Sequence, residues 1–364
     1  MHVRTKEEWM DLALSLAEAT IGQTSPNPSV GAVVVKDGVL LGVGTHLQAG
    51  GPHAEVHAIA QAGDRAEGAD IYVTLEPCAH YGKTPPCAEL IVEKGIKRVF
   101  IACLDPNPKV AGKGIAIIEA AGIPVETGIQ EERALKINQH FFHYMKTRRP
   151  FVTLKAAMTL DGKTATVTGD SKWITSTEAR MDAHKERHRH DAILVGRKTV
   201  EYDNPSLTTR LPQGGKNPVR IILDTHLSLE GSYAVFNDEA STWVVCGAHA
   251  NKAEFEQNYP NVKVLQMITD EIVLPDLMQI LAEHEIQSLY VEGGGTIHKA
   301  FLQAKIFDEC HWYIAPKLLG GQDARSVVGG NSPLLMKEAE ELEFTSYEQI
   351  GPDLKVIAKR KEES

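Results

Sequence analysis

Four side chains must meet if this chain is to work with a metal, and they lie on three separate stretches. His53 and Glu55 stand in Gly50-Gly51-Pro52-His53-Ala54-Glu55, Cys78 in Thr74-Leu75-Glu76-Pro77-Cys78, and Cys87 in Thr84-Pro85-Pro86-Cys87. One imidazole and two thiols supply three ligands, and Glu55 need not be a fourth. A catalytic zinc needs that set: three protein ligands, an open position, and an acid/base group beside it. The plain alternative is a helix start with an unrelated histidine and two buried thiols. Order and spacing favour the metal.

Local patterns say how the four can meet. Thr5 to Glu8 reads as a capping box, and Trp9, Leu12, Ala13, Leu16 and Ala17 recur at helical spacing, which predicts a helix near 6–20. Val30–Val35 and Val39–Val43 flank Lys36-Asp37-Gly38 and read as a β-hairpin. Glu55–Ala62 reads as a helix with His53 at its start. Asp70–Leu75 is a strand running into Glu76-Pro77-Cys78, and Cys87–Lys94 a short helix closed by Gly95. A strand at Lys97–Cys103, a helix at Gly114–Ala121, a strand at Ile123–Glu126 and a helix near 130–145 follow. This alternation predicts a layered α/β domain with a mixed sheet. Cys78 and Asp105 fall just past strand ends, where such sheets bind ligands. Cys87 opens a helix, a setting that favours thiolate.

The pattern restarts at Lys146-Thr147-Arg148-Arg149-Pro150, a basic joint ending in proline, which puts one domain at 1–146 and a second at 147–364. The second reads as strand 151–157, helix 177–189, strands 192–196, 219–224 and 242–246, helix 275–284, strand 288–291, helix 296–304 and strand 309–315, again α/β. Glu292-Gly293-Gly294-Gly295-Thr296 turns from strand to helix, and backbone amides at such a turn bind phosphate groups. It is not G-x-G-x-x-G, so a plain tight turn stands beside the cofactor reading. His184 and His188 are four apart and invite a metal; the basic residues around them favour a solvated helix end.

The formal net charge of -10 argues against a general affinity for nucleic acid or an anionic membrane. The five cysteines are odd in number and dispersed, which fits a reducing cytoplasm rather than a disulfide framework. No stretch approaches the roughly 18 apolar residues of a membrane span, and Met1–Glu8 has no apolar signal core. A cytoplasmic protein without a nucleic-acid or membrane partner is expected.

Together with Thr24-Ser25-Pro26-Asn27-Pro28 and Asp105-Pro106-Asn107-Pro108, the stretches around His53, Cys78 and Cys87 resemble the bifunctional riboflavin-biosynthesis deaminase–reductase family, over residues 6–360 or so. Zinc deaminases in general carry H-x-E followed by P-C, with histidine and cysteine on the metal and glutamate shuttling protons. Eight residues lie between Cys78 and Cys87, more than in the general pattern; within this insert His80 is a rival ligand. A long insert is usual in the resembled family. The resemblance implies a cytidine-deaminase-like three-layer α/β/α first domain and a dihydrofolate-reductase-like α/β second domain. It implies zinc on His53, Cys78 and Cys87, with Glu55 as the proton donor. It implies a pyrimidine and ribose-phosphate pocket at Asn27, His46, Lys83, Asp105 and Asn107.

The second half adds Lys155, Thr159-Leu160-Asp161-Gly162, Ser171-Lys172-Trp173-Ile174-Thr175, Gly196-Arg197-Lys198-Thr199 and the run from Asp203 to Arg210. The resemblance implies NADPH contacts at Ala157, Trp173, Thr199, Asp203, Gly294, Gly295 and Thr296, with Thr225 a further candidate. It implies substrate contacts at Ser171, Arg187, Leu207 and Arg210. Lys155 and Glu292 would stand beside the reacting sugar as catalytic groups, Glu292 also touching substrate. Read without the resemblance, Trp173 is more often a core residue than a cofactor wall, Arg187 and Arg210 suit a phosphate as well as they suit a bare surface, and Lys155 either stabilises a developing oxygen charge or forms a strand-end ion pair. The chemistry implied is zinc-dependent hydrolytic deamination of a phosphorylated diaminopyrimidinone ribosylamine, then NADPH reduction of its opened ribose to ribitol, in a homo-oligomer. One rival is a nucleic-acid deaminase, disfavoured by the acidic charge and the long insert. The other is a non-catalytic binding protein with structural zinc, disfavoured by Glu55 beside a three-ligand set.

Overall fold

The computed structural model describes residues 4–79, 81, 85–107 and 111–361. The expectations for His80 and Lys83 lie outside them. The chain divides into two compact units, Met1–Arg148 and Arg149–Ser364, each with its own sheet. Among the described residues no helix is long and apolar enough to cross a membrane.

In the first unit, α1 (Lys6–Glu18) starts at a capping box: Glu8 N donates to Thr5 Oγ1 at 3.3 Å and Thr5 N to Glu8 Oε2 at 2.8 Å. The hairpin β1 (Gly31–Lys36) and β2 (Val39–Thr45) leads to α2 (Ala54–Ala62). Then β3 (Asp70–Leu75), α3 (Cys87–Glu93), β4 (Arg98–Cys103), α4 (Lys113–Ala120) and β5 (Val125–Thr127) alternate. The sheet order is β2-β1-β3-β4-β5, with β1 antiparallel to both neighbours and the rest parallel.

Successive strand residues face opposite sides. Ala32, Val34, Ile71, Val73, Val99 and Ile101 pack with Ala58, Ile59, Ile91 and Ile118. Val33, Val35, Tyr72 and Phe100 pack with Trp9, Met10, Ala13 and Leu14. Burial on both faces accounts for the uninterrupted apolar strands and gives three layers, α/β/α. Gly42 and Gly44 let α2 lie directly on β2: a Cβ at either would meet the carbonyl oxygen of Ala58 or Ala54 at 2.1 Å. That contact fixes the start of α2, where His53 and Glu55 sit.

The single helix expected near 130–145 is two, α5 (Glu131–Ile137) and α6 (Gln139–Thr147). Asn138 breaks it because its side chain grips Ser29, accepting from the backbone N at 2.8 Å and donating to the O at 2.9 Å.

The second unit runs β6 (Phe151–Thr159), β7 (Lys163–Ala165), α7 (Thr177–Arg189), β8 (Ala192–Gly196), α8 (Arg197–Asp203), β9 (Val219–Leu223), β10 (Thr242–Cys246), α9 (Lys252–Asn258) and β11 (Val262–Gln266). It continues with α10 (Leu274–Glu283), β12 (Ser288–Val291), α11 (Gly295–Gln303), β13 (Glu309–Ala315), β14 (Arg325–Ser326), β15 (Leu342–Ile350) and β16 (Asp353–Arg360). The main sheet is β11-β10-β9-β8-β12-β6-β13-β16-β15, parallel from β11 to β13 and antiparallel beyond. Because β12 returns between β8 and β6, the strand order reverses there, and ligands of such sheets sit beyond the carboxyl ends at that point. The sequence patterns do not announce β7, α8, α9, β11, β14 or the closing pair β15–β16. β15 is exposed along both faces, with Phe344 at 75% and Tyr347 at 80%, so no alternation marks it.

Side chains of α7, β13 and β16 share a buried ion network. Lys355 Nζ lies 2.7 Å from Asp182 Oδ2 and 3.3 Å from Glu186 Oε1, and Tyr313 OH donates to Asp182 at 2.8 Å. Burial pushes the Glu186 carboxyl up, but Lys355, His311 and Arg189 outweigh it and hold it down to about 2, against an ordinary 4.5. Such a group stabilises the fold above pH 4.5, and that stabilisation is lost as pH falls toward 2. His184 is held down to about 4 from 6.5, by burial and then by Arg187 and Arg210. Protons therefore favour the unfolded chain from pH 6.5 downward. The second unit's thermal midpoint should fall below pH 6.5 and most steeply from 4.5 toward 2. Calorimetry across that range measures it; a midpoint level down to pH 4 contradicts it.

Candidate active sites

Each expected metal ligand sits at the end of an element. His53 is the N-cap of α2, Glu55 lies in the first turn, Cys87 opens α3, and Cys78 follows β3 through Glu76-Pro77. His53 Nδ1 is 3.3 Å from Cys87 Sγ and 3.5 Å from Cys78 Sγ, and the three donor atoms lie within 4.8 Å of one another. Zinc bonds of about 2.1 Å to nitrogen and about 2.3 Å to sulfur, arranged tetrahedrally, put ligand atoms roughly 3.5 Å apart. The set fits zinc. Among the described residues it is the only group of three or more such donors.

Hydrogen bonding from Cys87, aided by His53, holds the Cys78 thiol down to about 4. Cys87 is pushed up, because Cys78 takes the shared charge and burial opposes a second. A metal would draw both as thiolates. Glu55 is 3% exposed, and its Oε2 is buried without a hydrogen-bond partner. Burial pushes its carboxyl up, which keeps a proton within its reach.

Two arms reach out from these ligands. On one, His46 is buried with both ring nitrogens engaged: Nδ1 lies 3.0 Å from Pro52 O and Nε2 3.0 Å from Asn27 Nδ2. A carbonyl only accepts, so Nδ1 carries the proton and Nε2 accepts from Asn27. The His46 ring also meets the His53 ring edge-on, centroids 5.5 Å apart. His46 thus orients Asn27. On the other arm, Asp105 and Asn107 follow β4, and Asn107 N donates to Asp105 Oδ1 at 2.8 Å. Glu76, to which the sequence patterns give no role, accepts from Asp105 N, Gly112 N and Gly114 N. Its place directly before Pro77-Cys78 was the available signal.

In the second unit Glu292, just past β12, joins two cations. Arg187, in the last turn of α7, donates through Nε to Oε1 at 2.7 Å and through Nη2 to Oε2 at 3.0 Å. Lys155 Nζ, on β6, lies 3.2 Å from Oε2. Burial pushes the Glu292 carboxyl up, but Arg187 and Lys155 outweigh it and hold it well below the usual range. Arg187 also spends Nη1 on Thr208 O at 3.1 Å. Exposed Arg210 stands in the same field, its pKa lowered by partial burial and then by Arg187. Lys155 is therefore an ion pair, and one built into a cluster.

Trp173 is 64% exposed, its ring under the Arg180 guanidinium at 4.5 Å, so it is no core residue. Ser171 is half-buried in the loop before it, and Ala157 lies on β6 opposite Tyr313. Thr199 and Asp203 lie on α8 just past β8, and Thr225 just past β9. The glycine run divides its tasks. A Cβ on Gly293 would strike Ile297 at 2.5 Å and one on Gly295 would strike Ser326 O at 2.7 Å, whereas Gly294 has nothing within 4 Å and is the N-cap of α11, with Thr296 in the first turn. Leu207 is 2% exposed, packs with Ile193, Val195 and Val200, and has φ 51°, so its side chain belongs to the core. Only its backbone is available to a ligand. The solvated helix end expected around His184 is also half wrong. His188 Nδ1 accepts from Lys216 N at 3.0 Å, and His190 is buried between Glu186 O and Thr153.

A family model described as the RibD C-terminal domain matches residues 150–356, and one described as the cytidine and deoxycytidylate deaminase zinc-binding region matches residues 3–103. The riboflavin biosynthesis protein RibD of Bacillus amyloliquefaciens is 54% identical over 97% of this chain and 96% of its own. The solved structure of Acinetobacter baumannii RibD, form 1, aligns with a TM-score of 0.90 at 40% identity, covering 98% of this chain and 99% of that one. A diaminohydroxyphosphoribosylaminopyrimidine deaminase/5-amino-6-(5-phosphoribosylamino)uracil reductase from Thermotoga maritima gives 0.88 at 38% identity, with 98% of each chain covered. The zinc-binding region and the His53, Cys78, Cys87 set suggest zinc, and the reductase domain suggests a nicotinamide cofactor. With relatives this similar along its whole length, the chain belongs to the RibD family, as a bifunctional deaminase and reductase of riboflavin biosynthesis.

Proposed function

We propose that residues 1–146 remove the 2-amino group of 2,5-diamino-6-(5-phosphoribosylamino)pyrimidin-4-one by hydrolysis. Residues 147–364 then reduce the ribosyl chain with NADPH to give 5-amino-6-(5-phosphoribitylamino)uracil. The observation that carries this reading is the buried, unpartnered Glu55 Oε2 beside the His53, Cys78, Cys87 set. His53, Cys78 and Cys87 would hold zinc, which when bound would supply a polarised water. Glu55, buried beside that set, would carry protons from the attacking water to the ring nitrogen and the leaving amine. Water is consumed, ammonia leaves, and a carbonyl replaces the amine. Asn27, oriented by His46, together with Asp105, Asn107 and Lys83, holds the pyrimidine and its ribose phosphate.

In the reductase a bound nicotinamide would supply hydride. Lys155 steadies the oxygen that gains negative charge, and Glu292 and Arg187 keep that ammonium in place. Arg210, with its guanidinium less committed than that of Arg187, takes the substrate phosphate with Ser171 beside it. Ala157, Trp173, Thr199, Asp203, Thr225 and the 294–296 turn hold the cofactor. The net charge of -10 supports a small phosphorylated pyrimidine rather than nucleic acid as partner, and five free cysteines support a reducing cytoplasm. The exposed edge strand β15 supports self-association into a homo-oligomer.

The test is one assay of the purified chain with the diaminopyrimidinone, with and without NADPH. Ammonia should appear in both, and cofactor absorbance should fall only where ammonia has been released. Removing zinc with a chelator should abolish ammonia release yet leave reduction of the deaminated intermediate intact. Joint loss of the two would sink the separation of sites.

A further inference from the structure

We propose that Glu76 is a positioning residue for deamination: its carboxylate locks the Asp105 arm and the start of α4 to the Pro77-Cys78 turn. This rests on the reading that Asp105 and Asn107 hold substrate. Glu76 is 3% exposed and sits between β3 and the Cys78 turn. Oε2 accepts from Gly112 N at 3.0 Å and Asp105 N at 3.4 Å; Oε1 accepts from Gly114 N at 3.1 Å. Glu76 N in turn donates to Cys103 O at 3.1 Å, which extends the β3–β4 pairing to the point where both arms leave the sheet.

The two segments also touch directly. A Cβ on Gly114 would lie 1.9 Å from Pro77 O and 3.4 Å from Glu76 Oε1. So the α4 start is pressed against the metal turn, and one carboxylate ties three backbone amides of the substrate arm to it. A carboxylate is an acceptor at both oxygens, as three converging N–H groups require. Glutamine has the same shape but turns one acceptor into a donor that must face an N–H. Substrate would then meet a displaced Asp105 and Asn107 beside an intact metal set. The cost should fall on binding more than on the chemical step.

The full chain provides its own controls: bound zinc reports that the first unit keeps its centre, and the reductase rate reports that the second unit is intact. Deamination KM and kcat, zinc content and reductase rate are measured for Glu76→Gln, Asp105→Ala and the double variant. Glu76→Gln should raise KM about tenfold, in line with loss of a buried hydrogen bond to a charged group, with kcat, zinc and reduction little changed. The double variant should cost less than the product of the two single effects, since both act on the Asp105 contact. Glu76→Asp, which keeps the charge on a shorter stem, should fall between wild type and Glu76→Gln, and it carries the test if the glutamine variant does not fold. If Asp105→Ala raises KM but neither Glu76 variant does, the clamp is wrong and the substrate reading survives. If Asp105→Ala leaves KM unchanged, the substrate reading fails and takes the clamp with it. Loss of zinc from Glu76→Gln, or effects that multiply in the double variant, would also overturn the proposal.

Discussion

Glu55→Gln should slow ammonia release by about 10²–10⁴-fold, the usual worth of a positioned general acid–base group, with zinc still bound and reduction of the deaminated intermediate unaffected. Glutamine occupies the same volume at the start of α2 but neither takes up nor passes on a proton. The fold should not suffer, because glutamine keeps an acceptor oxygen in the same place and burial already disfavours the carboxylate's charge. The measurement pairs ammonia release with metal analysis on one preparation. A fully active variant would remove Glu55 from the chemistry. Loss of zinc would recast it as support for the ligands.

The second large effect is expected at Glu292→Gln. The native carboxylate lies between Lys155, 16% exposed, and Arg187, 12% exposed. Neutralising it leaves two cations facing each other away from water. Breaking a buried pair by removing one partner costs about 3–5 kcal/mol, and the retained amide oxygen favours the lower end. For a domain of this size that is a fall in thermal midpoint of roughly 6–12 °C. Reduction should drop with it, while deamination continues below the new midpoint, because Glu55 and the three metal-donor side chains belong to the other unit. An unchanged midpoint would mean that Lys155 and Arg187 are solvated well enough to do without the carboxylate.

What could be read from the sequence followed burial. Strands covered on both sides, such as β1, β3, β4, β8 and β12, have apolar runs bounded by turn residues, and they were legible within a residue or two. The metal set was legible because its chemistry restricts residue type and spacing. The break at Asn138 was not, since it depends on Ser29, more than 100 positions away in the chain. β15 was hidden for the opposite reason, because an exposed edge strand has no buried face to write a pattern, and β16 because two of the residues it buries are the charged Asp353 and Lys355. At Leu207 the side chain is committed to the core, so any contact it makes with a ligand runs through its backbone, which residue type does not reveal. Glu76 was passed over because its partners are backbone amides, and no residue type advertises those.

Because β2 and α2 meet main chain to main chain at Gly42 and Gly44, no cushion of side chains separates the hydrolytic centre from the sheet beneath it. Any methyl group added there must lever the helix outward and carry imidazole and carboxylate away from the two sulfurs. Efforts to retune which amine the enzyme removes therefore belong at the rim of the pocket. A library that randomises those two glycines would spend most of its members on proteins whose centre has come apart.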